Sequence, residues 1–215
     1  MTEHQATHLQ HHFEDAEQQF EASSLGMWVF LLTEVMFFGG LFTGYIIYRT
    51  AYPEAWALGS NTLDVVLGGF NTAVLIASSL TMALAVHFAQ LGNRKLVVLF
   101  LVLTIVFGSA FLGVKVVEYS HKFHEHHVPG PSFHFEGEHA RNAQLFFSFY
   151  FAMTGMHALH MIIGIGILFV LVWMAATGRF TADYFNPVEM FGLYWHFVDI
   201  IWIFLYPLLY LVGRH

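Results

Sequence analysis

The chain has 215 residues, of which 57% are hydrophobic and only 11% charged, and phenylalanine alone occurs 24 times. Soluble domains carry roughly a quarter of their residues as charges, so this composition points to a membrane protein. The net charge of −7 arises mostly in tails and loops with no basic patch for nucleic acid, and the lack of cysteine excludes disulfides, thiolate metal sites and cysteine nucleophiles.

Residues 1–24 are polar and lack a basic signal-peptide region, so they read as a retained N-terminal tail, partly helical at best. One transmembrane domain follows at 25–215, all-α, with spanning helices expected at about 25–48, 65–90, 96–118, 143–176 and 188–212. The fourth is long enough to tilt or project beyond the bilayer. No internal repeat suggests a transporter built from inverted halves. The basic residues Arg94, Lys95 and Arg179 on one side balance Arg49, Lys122, Arg141 and Arg214 on the other, so charge alone does not orient the bundle.

The first span carries Glu34 near its middle, in "TEVMFF", and a small-residue pair, Gly40 and Gly44. Glu34 fits either a proton-relay group or a hydrogen-bonded packing residue. In the second span Ala73, Ala77, Thr81 and Ala85 recur every four residues, a smooth stripe for a neighbouring helix. The third ends in "VKVVEY", where Lys115 and Glu118 are spaced for a local ion pair at the membrane interface. The loop "HKFHEHHVPGPSFHFEGEHARN" holds six histidines, without regular metal-ligand spacing.

The fourth span places His157 and His160 on neighbouring positions of one face. The fifth carries Glu189, His196 and Asp199 in "EMFGLYWHFVDIIWIFLYPLLY". On a helical wheel Gly192, Trp195, His196, Trp202, Tyr206 and Tyr210 lie within about 60° of Asp199. That face suits protein or buried water. The opposite side, with Leu193, Phe197, Ile201, Phe204, Leu205 and Leu208, suits lipid or apolar packing. An ionised Asp at mid-membrane costs on the order of 3 kcal/mol, so it should pair or be protonated, and His196 is a candidate local partner. Glu34, His157, His160 and Asp199 fall in one layer by their distance from the segment ends.

Together these motifs resemble subunit III of the haem–copper respiratory oxidases, the cytochrome c and quinol oxidase family, across all five spans. The resemblance rests on "FNTAVLIASSLT" at 70–81, "VVEY" at 116–119, "FYFAMTGMHALHMIIG" at 149–164 and above all "YWHFVDIIWIFLY" at 194–206. "TEVMFF" resembles the family's Ser-Glu-Val segment, which makes Glu34 the counterpart of its carbodiimide-reactive glutamate, with Thr33 in place of Ser. Lys115 stands where the family often has Gln, and Ile47 where it often has His. Many members have seven spans; a chain starting at the Glu34 helix resembles five-span bacterial forms.

The resemblance implies a non-catalytic subunit of a proton-pumping terminal oxidase in aerobic respiration. This chain would hold no haem, copper or other metal; those cofactors would belong to the catalytic partner, subunit I. It also implies contact with other oxidase subunits, bound phospholipid, and a bacterial inner-membrane location with a cytoplasmic N-terminus. Glu34 would support proton uptake and protect the partner during turnover. Glu118, His157, His160, Glu189, His196 and Asp199 would be structural polar residues within the membrane. Competing readings are an accessory subunit of a nitric oxide reductase, a small b-type cytochrome ligated by His157 or His160 with His196, and a metal transporter fed by the histidine-rich loop.

Overall fold

Backbone in hydrocarbon must satisfy its own N–H and C=O groups, which drives long apolar runs into helices. A computed structural model of the chain describes residues 13–131, 133–135, 140–182 and 184–211. Its helices are α1 (Ala16–Ala51), α2 (Pro53–Asn61), α3 (Val65–Gln90), α4 (Arg94–His124), α5 (Ala140–Ala176) and α6 (Asn186–Tyr206), the last continued by a π-turn over Pro207–Leu211. Among the described residues, five helices are long and apolar enough to cross a membrane: α1, α3, α4, α5 and α6 with its π-turn.

Helix ends run beyond the sequence expectation, most at the start of α1, and α4 continues past the expected end at 118 to His124. Residues 16–24 of the expected polar tail are helical and continuous with the first span. Asp15 caps that helix by accepting from the Gln18 N–H at 2.8 Å, while Gln18 Oε1 accepts from the Glu14 N–H at 2.8 Å. Residues 1–12 lie outside the described residues. The long connection after the first span contains α2, started by Pro53 in its first turn, where a missing N–H costs nothing. Trp56 on α2 is 1% exposed and packs edge-on against Tyr45 and Phe146.

The helices close on α6, which packs against α1, α3 and α5. Of the side expected to meet lipid or apolar packing, Phe197, Ile201 and Leu205 are buried in packing, while Phe204 faces outward with Ile200 and Ile203. Trp195 explains how the centre closes. A Cβ on Gly108 of α4 would stand 3.0 Å from its ring, and one on Gly164 of α5 only 2.8 Å, so both glycines make room for the indole. Its Nε1 donates to Ser78 Oγ at 3.0 Å, which ties α6 to α3.

The small-residue stripes are only half used. Thr81 and Ala85 are buried against α4, with Thr81 Oγ1 2.8 Å from Thr104 Oγ1, but Ala73 faces outward. Gly44 meets Phe149, whereas a Cβ at Gly40 would meet nothing within 4 Å. Helix α1 lies on the bundle's flank, and Trp28, Leu32, Val35 and Met36 remain exposed on it.

Candidate functional site

The polar residues form three separate sites. The first is a groove of about 750 Å³ between α1, α5 and α6. Its walls are apolar, including Met27, Phe30, Leu159, Ile163 and Phe191, and Glu34 and His160 meet within it. His160 Nε2 lies 3.2 Å from Glu34 Oε2. His160 Nδ1 lies 2.7 Å from the Met156 carbonyl oxygen, which can only accept, so Nδ1 carries a proton. Glu34 and His160 thus stand at ion-pair distance inside the groove. Phe38 packs on the imidazole at 5.5 Å between centroids, and the Tyr194 hydroxyl donates to the His160 carbonyl at 2.9 Å. The histidine is held from several directions while its partner faces the groove.

His157, one turn earlier on α5, goes elsewhere. It is 1% exposed and wedged between Phe111 and Trp202, with ring centroids 5.3 and 5.1 Å away. Neither ring nitrogen has a hydrogen-bond partner among the described residues.

The second site is closed. Lys115 and Glu118 do pair, with Nζ 2.8 Å from Oε2, but not at the exposed interface expected from sequence: they are 3% and 6% exposed. They are buried because α5 and the π-turn after α6 fold over them and bring two tyrosines. Lys115 Nζ donates to Tyr150 at 3.4 Å and to Tyr210 at 3.0 Å, which with Glu118 uses all three of its protons. Tyr150 donates to Glu118 Oε1 at 2.8 Å, and Tyr210 donates to the same oxygen. The ammonium also lies 4.9 Å from the centroid of a Trp202 ring. The sequence places Tyr210 on the Asp199 face and gives Tyr150 no role, since nothing in local spacing links either residue to Glu118.

The third site lies between α3 and α6. His196 does not pair with Asp199; its Nδ1 instead meets Ser79 Oγ at 2.8 Å. Both carboxyl oxygens of Asp199 are buried without a hydrogen-bond partner among the described residues. Glu189, by contrast, sits in the first turn of α6, where the helix dipole favours an acid, and is not a mid-membrane group.

In the histidine-rich loop, His127 stacks on Phe147 at 4.9 Å and lies 3.1 Å from Glu125, which is held by Lys122 at 2.6 Å. Glu136, Glu138 and His139 lie outside the described residues. Among the described residues no three His, Asp or Glu side chains gather as a metal site.

The profile of the family described as Cytochrome c oxidase subunit III matches residues 3–214. The chain belongs to the cytochrome c oxidase subunit III family. Among individual members, it is 31% identical to Cytochrome c oxidase subunit 3 of Thermostichus vulcanus over 88% of this chain and 87% of that protein. It is 30% identical to Quinol oxidase subunit 3 of Bacillus subtilis over 96% and 97% respectively. For Cytochrome c oxidase subunit 3 of the baboon Papio hamadryas, 31% identity covers 97% of this chain but 76% of the relative. The subunit III resemblance read from the motifs is thus borne out over nearly the whole length, and the matched relatives carry oxidase names.

Proposed function

We propose that this chain is the non-catalytic subunit III of a proton-pumping terminal oxidase in a bacterial inner membrane, with its N-terminus in the cytoplasm. It stabilises a catalytic subunit I that carries the haems and copper and reduces dioxygen to water. The match over residues 3–214 carries this reading. The cytochrome alternative finds no support in the geometry: the cavity that His196 lines includes neither His157 nor His160. The tagged chain should co-purify with a large partner that shows haem bands in the reduced-minus-oxidised spectrum. A colourless complex, or haem remaining on the stripped chain, would overturn the assignment.

The groove beside Glu34 supports a second part of this reading. Its apolar walls suit phospholipid acyl chains, and Glu34 has His160 at ion-pair distance beside them. A carboxyl beside an imidazole also suits a group that sustains proton uptake by the neighbouring subunit. Glu34→Gln keeps the shape and removes the titratable carboxyl. The variant oxidase should assemble with normal initial activity and inactivate sooner, by roughly twofold or more in half-life; an unchanged time course would refute the role. This size follows from a barrier change of under 1 kcal/mol.

A further inference from the structure

The carboxyl of Asp199 finds no counterpart among the described residues. The residue is 3% exposed, and both oxygens lack a hydrogen-bond partner among the described residues. Ser79 stands beside it without a bond of good geometry, its hydroxyl engaged by His196. Asp199, His196 and Ser79 share a cavity of about 240 Å³ between α3 and α6. Its rim includes Ile76, Ile200 and Ile203, which are 53%, 49% and 45% exposed, so the niche opens sideways from the bundle. Asp199 lies midway along the span Asn186–Leu211, far from either aqueous face.

We propose that this niche receives a basic side chain from a transmembrane helix of a neighbouring oxidase subunit, which seats between α3 and α6 and donates to Asp199. This rests on the chain being an oxidase subunit. Charge complementarity selects the occupant. Lys115, a buried cation on α4, already has all three protons committed to Glu118, Tyr150 and Tyr210. Lipid does not meet the need: headgroup donors lie about 15 Å from mid-membrane and acyl chains have none. Water is a poorer match, because the rim is isoleucine and opens toward hydrocarbon. An ammonium or guanidinium satisfies both carboxylate oxygens and is itself neutralised by them.

The chain contains no cysteine, so a single cysteine at the rim can be followed in the tagged subunit. Ile203→Cys, carrying a photoactivatable maleimide in the intact complex, should give an adduct between this chain and one membrane subunit. Adducts with lipid alone would overturn the proposal. Asp199→Leu and Asp199→Asn should both speed release of the chain from the detergent-solubilised complex by roughly tenfold or more. The thermal midpoint of the released chain should hold or rise in both variants. Unchanged release with a less stable released chain would instead show that the carboxyl serves its own fold, through water, and would overturn the proposal. Should the wild-type chain bring down no haem-bearing partner at all, the oxidase assignment falls first, before any variant is made.

Discussion

Glu118 and Asp199 are both carboxyl groups buried in a membrane bundle, and they are treated in opposite ways. Glu118 accepts from Lys115, Tyr150 and Tyr210. Asp199 accepts from nothing among the described residues. Trp202 stands between them, with one ring near the Lys115 ammonium and its edge lining the Asp199 niche. Residue type and burial are similar at the two positions, so neither tells whether an intramembrane acid serves its own fold. Bond satisfaction does. A carboxyl whose acceptors are filled within the chain is part of the packing, and one left open faces outward to the rest of an assembly.

The contrast can be broken most sharply at Glu118. Glu118→Leu leaves the Lys115 charge buried with only two tyrosines, and should cost about 3–5 kcal/mol in unfolding of the detergent-solubilised chain. Adding Lys115→Met should recover most of that loss, since no unpaired ion remains. Trp202→Phe tests the shared wall. It removes the Nε1 bond to Thr72 at 3.0 Å and the larger π face under Lys115, for an expected loss of about 1–2 kcal/mol by the same measurement. At Asp199 the sign should turn: Asp199→Leu in the released chain should lie between no change and a gain of about 1 kcal/mol.

The smallest expected effect is in the loop after α4. Burial and the Lys122 charge hold the His127 imidazole below its ordinary 6.5, against the pull of Glu125. Burial acts to raise Glu125, but the hydrogen bond and charge of Lys122, with His127, hold its carboxyl below the ordinary 4.5. Both folded groups therefore protonate at lower pH than in an unfolded loop. Their contribution is complete above about pH 6.5 and declines as pH falls through the lowered His127 pKa and then that of Glu125. Hydrogen exchange at residues 125–131 should be slow at pH 7 and accelerate on acidification, after correction for intrinsic rates.

The spanning helices were legible because hydrocarbon imposes a length and a composition on each. Their ends were less so. The Asp15–Gln18 cap and Pro53 are readable start signals, yet both lie in stretches too polar or too short to register as spans. Within the site, residue types pointed to the right positions and missed the pairings. Spacing suggested His196 for Asp199, since they are three apart on one helix, but tertiary packing brought Ser79 to the imidazole instead. Equal depth says nothing of contact: three residues at 100° each leave His157 and His160 about 60° apart around α5, and the two enter different interfaces. Periodicity leaves lipid and apolar packing as equal readings for the apolar side of α6; Phe197, Ile201 and Leu205 are packed because a central helix has neighbours on several sides.

The π-turn at Pro207–Leu211 has a consequence in time. It presents the Leu208 carbonyl to the Tyr45 hydroxyl of α1 at 2.9 Å, the Leu209 carbonyl to Ser60 of α2 at 2.8 Å, and the Tyr210 hydroxyl to the Lys115–Glu118 pair of α4. Three helices made earlier in synthesis thus wait for partners that follow α6 in the chain. Until those residues arrive the spans can insert but not lock, and a nascent chain halted before residue 208 would be a set of membrane helices without its clasp.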